Sequence, residues 1–115
     1  MSENKLADLS MDFAVNVLNL TENIKGHYSL INQLERCATS IGANIREAKY
    51  AHGKAEFVAK LQISLKECYE TEYWLELFEK ANNIVESMEL KALIRDCGTI
   101  RRMLIASINT TKSNM

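Results

Sequence analysis

A chain of 115 residues is one domain's worth of sequence, long enough to bury a single core without disulfide or metal staples. With 47% hydrophobic and 25% charged residues, no proline and four glycines, the composition excludes a disordered chain, a β-sandwich and a collagen-like repeat, and no apolar run is long enough to span a bilayer. A net charge of -1 removes any global basic field, and the polar start Met1-Ser2-Glu3-Asn4-Lys5, with no signal-peptide core behind it, points to a cytoplasmic helical protein.

The first predicted helix covers residues 4–24, where Leu6, Leu9, Phe13, Val17, Leu20 and Ile24 recur at three- and four-residue steps and define one buried face. Gly26, with His27 and Tyr28, is the expected stop, and Ser29 the expected cap of the second helix. That second helix, residues 29–50, carries the cleanest heptad pattern: Ile31, Leu34, Ala38, Ile41, Ile45 and Ala48. Beside that seam lie Cys37, Ser40, Gly42 and Ala43, small enough to admit a neighbouring backbone. A mid-helix glycine costs about 1 kcal/mol against alanine, so close helix approach is the expected compensation at Gly42.

Gly53 marks a tight turn into the third helix, residues 54–82, which the Asn82-Asn83 pair ends. One apolar stripe holds Phe57, Leu61, Leu65, Cys68 and Leu75, with Val58 and Tyr69 at its edge. A second, on the far side, holds Ala59, Ile63, Trp74, Leu77 and Ala81. A helix in a monomeric bundle needs one apolar face, so two faces call for a second copy of the chain, unless Trp74 merely wraps over the bundle edge. The fourth helix, residues 87–109, places Leu90, Leu93, Ile94, Cys97, Ile100, Leu104 and Ile108 on one face. Ser87 is its expected cap, Glu89 suits the dipole of its first turn, and the tail from Thr110 to Met115 is expected to fray. Four amphipathic helices with short connections and no strand-like alternation predict one all-α domain over residues 1–115: a long, slim, antiparallel up-down-up-down four-helix bundle.

Chemistry-bearing motifs are scarce. Cys37, Cys68 and Cys97 include no C-x-x-C pair, and their odd number argues against a disulfide framework. Reflection through the turns brings all three near one layer of the bundle, where small apolar roles outweigh a thiolate metal site. His52 and Glu56 are four residues apart and lack a third ligand, and no triad, glycine-rich phosphate loop or Glu-x-x-His pair is present. The expectation is a protein without enzymatic activity or cofactor.

Charge is segregated along the chain. Residues 25–66 carry a net +4 and residues 67–96 a net -5. In an alternating bundle the second turn and both termini share one end, which gathers Arg46, Lys49, Lys54, Lys60, Arg101, Arg102 and Lys112, with Glu47, Glu56, Glu3, Asp8 and Asp12 as acidic neighbours. Those are the candidates for contact with nucleic acid or an acidic partner. The opposite end holds Glu70, Glu72, Glu76, Glu79, Glu86 and Glu89. Glu72 and Arg101 interrupt apolar stripes and read as a polar lock at a subunit boundary, together with Ile63, Trp74 and Leu77, whereas Glu79 reads as a side chain reaching water.

Gln33, Leu34, Arg36, Ser40, Ile41, Asn44, Ile45 and Glu47 match the pattern Gln-Leu-x-Arg-x-x-x-Ser-Ile-x-x-Asn-Ile-x-Glu, and the stretch from Phe57 to Leu77 fits the same family's third helix. In both, the chain resembles the small bacterial four-helix-bundle proteins first noticed as reading frames in intervening sequences of large-subunit ribosomal RNA genes. Where many members have Ser-Ile-Pro-Ser-Asn-Ile-Ala-Glu-Gly, this chain carries Gly42, Ala43, Arg46 and Ala48, departures that concern a helix kink and its end. The resemblance implies a homopentameric barrel of bundles and no enzymatic activity. Its relative with the clearest role, the accessory variability protein of diversity-generating retroelements, pairs with a reverse transcriptase and its RNA template. That relative is strongly basic and this chain, at a pI near 6.1, is not. The expected function is therefore a homo-oligomeric scaffold engaging a nucleoprotein partner. The alternative is a self-assembling protein with an unrelated protein partner and no nucleic acid.

Overall fold

The computed structural model describes residues 2–81 and 87–115; the Asn82-Asn83 stop and Glu86 lie outside the described residues. Four helices follow one another: α1 (Ser2–Thr21), α2 (Tyr28–Lys49), α3 (Lys54–Lys80) and α4 (Met88–Ser113). Each packs on two neighbours, α1 and α3 both touching α2 and α4, so the four form a square with α1 diagonal to α3. Contacts climb one helix as they descend the next. Arg36 meets Glu67, the Ile41 carbonyl accepts from Ser64 and Glu47 meets Lys60 across α2 and α3, while Cys68 meets Cys97 and Lys54 reaches Asn114 across α3 and α4. The bundle is therefore antiparallel, and its extents of 48 × 21 × 19 Å are long and slim as expected. No described helix is long and apolar enough to cross a membrane.

Helix ends differ from expectation for local reasons. α1 stops at Thr21, and amide bonds from Asn23 to Leu20 and from Ile24 to Thr21 tighten the chain beyond it. Ile24 is buried from that turn, so the periodicity counts a loop residue as helical. Gly26 and His27 then both adopt left-handed conformations, with φ of 82° and 54°, which reverses the chain. His27, not Ser29, precedes α2, and its carbonyl accepts from Leu30 and Ile31. Ser87 caps α4 as expected, its hydroxyl accepting from the Leu90 amide at 3.0 Å. The expected fraying tail instead stays helical to Ser113, with the Thr111 and Ser113 hydroxyls bonded back to the Ser107 and Asn109 carbonyls.

The core follows the α2 heptad closely, with Cys37 added. On α3 the buried face is rotated from expectation. Val58, Leu61, Ser64, Cys68, Thr71, Leu75 and Phe78 point inward, Phe57 and Leu65 are half-buried, and Tyr69 is exposed. Ser64 and Thr71 occupy core positions because their hydroxyls are satisfied by the Ile41 and Glu67 carbonyls, a polar contribution that counting apolar residues overlooks. Gly42 does mark close approach: a Cβ there would lie 3.2 Å from Ser10 Oγ on α1.

Candidate interaction surfaces

The end of the bundle that carries the α2–α3 turn holds a looser basic cluster than the sequence suggests. Lys60 pairs with Glu47 at 2.8 Å, which raises the Lys60 ammonium, and Lys54 Nζ donates to the Asn114 carbonyl at 2.9 Å. Lys112 is exposed in the last turn of α4. Arg46 and Lys49, in the last turn of α2, have no carboxylate within 4 Å among the described residues. Arg101 and Arg102 do not belong to this end. They sit about 18 Å before the end of α4, at 1.5 Å per residue, because charge counted along a chain ignores helix rise. Arg102 bonds the Thr99 hydroxyl on its own helix.

Arg101 and Glu72 meet each other across the seam between α4 and α3. Nε donates to Oε1 at 2.9 Å, linking α4 to α3 and raising the guanidinium. Both side chains are partly buried beside Gly98, where a Cβ would meet Arg101 and Glu72 at ordinary contact distances of 3.5 and 3.9 Å. The polar lock expected at a subunit boundary thus has its partner within the chain. Trp74 is half-buried against the core and donates its indole N–H to Glu70 Oε2 at 3.1 Å. Glu70 also accepts from Arg36 at 2.7 Å, and Tyr73 packs edge-on to the indole with centroids 5.1 Å apart. The indole bond first, and Arg36 second, hold the Glu70 carboxyl below the usual carboxylate range. Two residues of the recognised pattern, Arg36 and Glu47, therefore act as ties between α2 and α3.

On the outer side of α3, Ile63 is 45% exposed, Ala59 is exposed and Leu77 is half-buried. A further apolar stripe, outside those expected, runs along α1. Met11, Val15 and Leu18 are 50, 47 and 45% exposed, one above another at helical spacing. They border a groove of about 510 Å³ whose other wall is the small-residue face of α2, Thr39, Gly42 and Ala43. The same periodicity, sought on α1 beside its core face, would have found them.

The cysteines divide. Cys68 and Cys97 face each other with sulfurs 3.5 Å apart, whereas Cys37 donates to the Leu34 carbonyl at 3.4 Å. The contact with Cys68 and burial push the Cys97 thiol up, and burial does the same to Cys37. No group of three or more metal-ligating side chains occurs among the described residues. His52 reaches Glu56 through its backbone amide, at 3.4 Å, not through its ring.

Fold and surfaces together define a small antiparallel four-helix-bundle protein braced by charged ties between its helices. The 23S rRNA-intervening sequence protein family matches residues 2–106, and the chain belongs to that family. A crystal structure of a protein of unknown function from the S23 ribosomal protein family of Bacteroides thetaiotaomicron is similar throughout. It has 38% sequence identity and a TM-score of 0.86, over 95% of this chain and 99% of that one. No curated protein matches the sequence.

Proposed function

We propose that the protein is a non-enzymatic, homo-oligomeric scaffold, of the pentameric kind the resemblance implies, that engages a nucleoprotein partner. The observation that carries the first half is the α1 stripe. Met11, Val15 and Leu18 are each about half exposed and continuous with an apolar groove, which is more hydrophobic surface than one bundle covers. This stripe is on α1 and the Ile63 face is on α3, at diagonal corners of the square. Two different faces on opposite corners favour head-to-tail association, which forms a ring when the rotation between copies closes. The nucleoprotein half is supported by Arg46 and Lys49, cations without a carboxylate partner among the described residues. A reverse transcriptase with its RNA is the narrowest form of that partner and rests on the resemblance alone. The reading without nucleic acid is favoured by Lys60 and Arg101, whose charges are met within the chain.

Light scattering on the eluting protein, at dilute and concentrated loading, tests the assembly. The wild type is expected at a multiple of the 13.1 kDa chain mass. Val15→Glu with Leu18→Glu, both on the surface, is expected to yield smaller particles with unchanged helix content. A wild type of single-chain mass at every loading refutes the proposal.

A further inference from the structure

All four helices contribute to a pocket of about 480 Å³ at the end of the bundle that carries the α2–α3 turn. Its floor is apolar: Leu6, Ile45 and Leu61 are buried there, and Phe57 is half-buried beside them. Its rim is cationic and aromatic. Lys49 and Tyr50 come three and four residues after Arg46 where α2 ends, and all three line the opening. Tyr50 is 72% exposed, with no neighbouring ring against it among the described residues. Asp8 stands among the lining residues on α1.

We infer that this pocket receives an unpaired base of single-stranded RNA, with Arg46 and Lys49 on the flanking phosphates and Tyr50 stacked on the strand. The inference rests on the nucleoprotein half of the proposed function and gives that half a location. Its basis is the union of two surfaces that single-stranded nucleic acid requires together: a flat aromatic face and cations spaced along a backbone. A duplex keeps its bases stacked inside and offers none to a recess of this kind. An acidic peptide would satisfy the cations and leave the exposed Tyr50 without a role. Much of the chain's acidity lies away from this site: Glu67, Glu70 and Glu72 are further along α3 and held by Arg36 and Arg101, and Glu47 beside Arg46 is paired with Lys60. Asp8 in the lining and Glu56 in the first turn of α3 are local charges that work against phosphate.

Fluorescence anisotropy with a labelled 12-nucleotide RNA, alone and annealed to its complement, across a salt series, tests the site. The single strand is expected to bind more tightly than the duplex. Tyr50→Ala should weaken it about fivefold or more, the effect of losing one stacked base. Arg46→Ala with Lys49→Ala should weaken it and reduce the salt slope by about 1.4, at about 0.7 for each phosphate no longer neutralised. Asp8→Asn should tighten it. Circular dichroism on the same variants checks that these exposed substitutions leave the bundle folded. If the wild type binds the single strand and none of these variants changes the binding, the pocket is not the site, while the nucleoprotein reading stands. If the wild type binds no RNA even at low salt, the nucleic-acid reading falls and this inference with it. Equal binding of duplex, or binding of an acidic peptide in place of RNA, overturns the inference directly.

Discussion

Gly42 offers a test of how tightly α1 and α2 are pressed together. Replacing it by alanine in mid-helix should gain about 1 kcal/mol from helix propensity. The new methyl would lie 3.2 Å from Ser10 Oγ, a few tenths of an ångström short of ordinary contact, and 3.5 Å from Ser10 Cβ. Ser10 is buried and its hydroxyl is bonded to the Ala7 carbonyl at 3.0 Å, so it has little freedom to withdraw. Crowding of this kind costs roughly 1 kcal/mol at the mild end of overpacking, and the two effects nearly cancel. Gly42→Ala alone should therefore change stability by less than about 0.5 kcal/mol. In a Ser10→Ala background the crowding oxygen is gone and the nearest side-chain atom is the 3.5 Å Cβ, an ordinary contact. There the same substitution should stabilise by about 1 kcal/mol, a coupling of roughly 0.5–1.5 kcal/mol between the two sites. Urea unfolding of the four proteins at one fixed protein concentration measures it. A full stabilisation by Gly42→Ala with Ser10 still present, and no coupling, would refute the claim that glycine is there for helix approach.

Three further outcomes are expected from the charged ties and the thiols. Trp74 is the single tryptophan, so its emission should report protonation of the Glu70 carboxylate it bonds, with a midpoint below the usual carboxylate value of about 4.3. Because the folded state lowers that value, the associated stability is present above the ordinary range and is lost as the pH falls through the folded midpoint. Glu70→Gln should abolish the transition, and a midpoint at or above the ordinary value would contradict the assignment. Glu72→Ala leaves the partly buried Arg101 side chain without its carboxylate and should cost about 1 kcal/mol in urea unfolding, whereas Glu79→Ala, on an exposed carboxylate, should cost less than about 0.5 kcal/mol. All three cysteines are buried, burial raises the Cys37 thiol, and the contact with Cys68 together with burial raises that of Cys97, so a thiol-reactive disulfide reagent at pH 8 should label none in the folded protein and three in denaturant. Rapid labelling of the native protein would show that the Cys68–Cys97 layer opens readily.

The recognised sequence pattern acquires a structural meaning from these contacts. Arg36 and Glu47 lie eleven positions apart on α2, three helical turns, and each reaches a partner of opposite charge on α3. They fix the register of the two helices from both ends, while Ser64 fixes it at mid-height through the Ile41 carbonyl. Such ties are worth little individually at a surface, and their value is in selecting one alignment.

The helical class, the four segments, the seam of α2 and the Ser87 cap were all readable from the chain alone, because periodicity and capping are set by residues within a turn or two of one another. Close approach at Gly42 was readable for the same reason: a glycine that weakens its own helix has to be compensated by a neighbour. Partners across helices were not readable. Arg101 was visible as an interruption in an apolar stripe, yet whether it faced Glu72 or another subunit depended on how α4 slides along α3. The placing of Arg101 and Arg102 at mid-bundle and the rotation of the α3 face toward Ser64 and Thr71 were likewise settled by packing. In each case the side chain's surroundings come from segments distant in sequence, and helix register decides which segments those are.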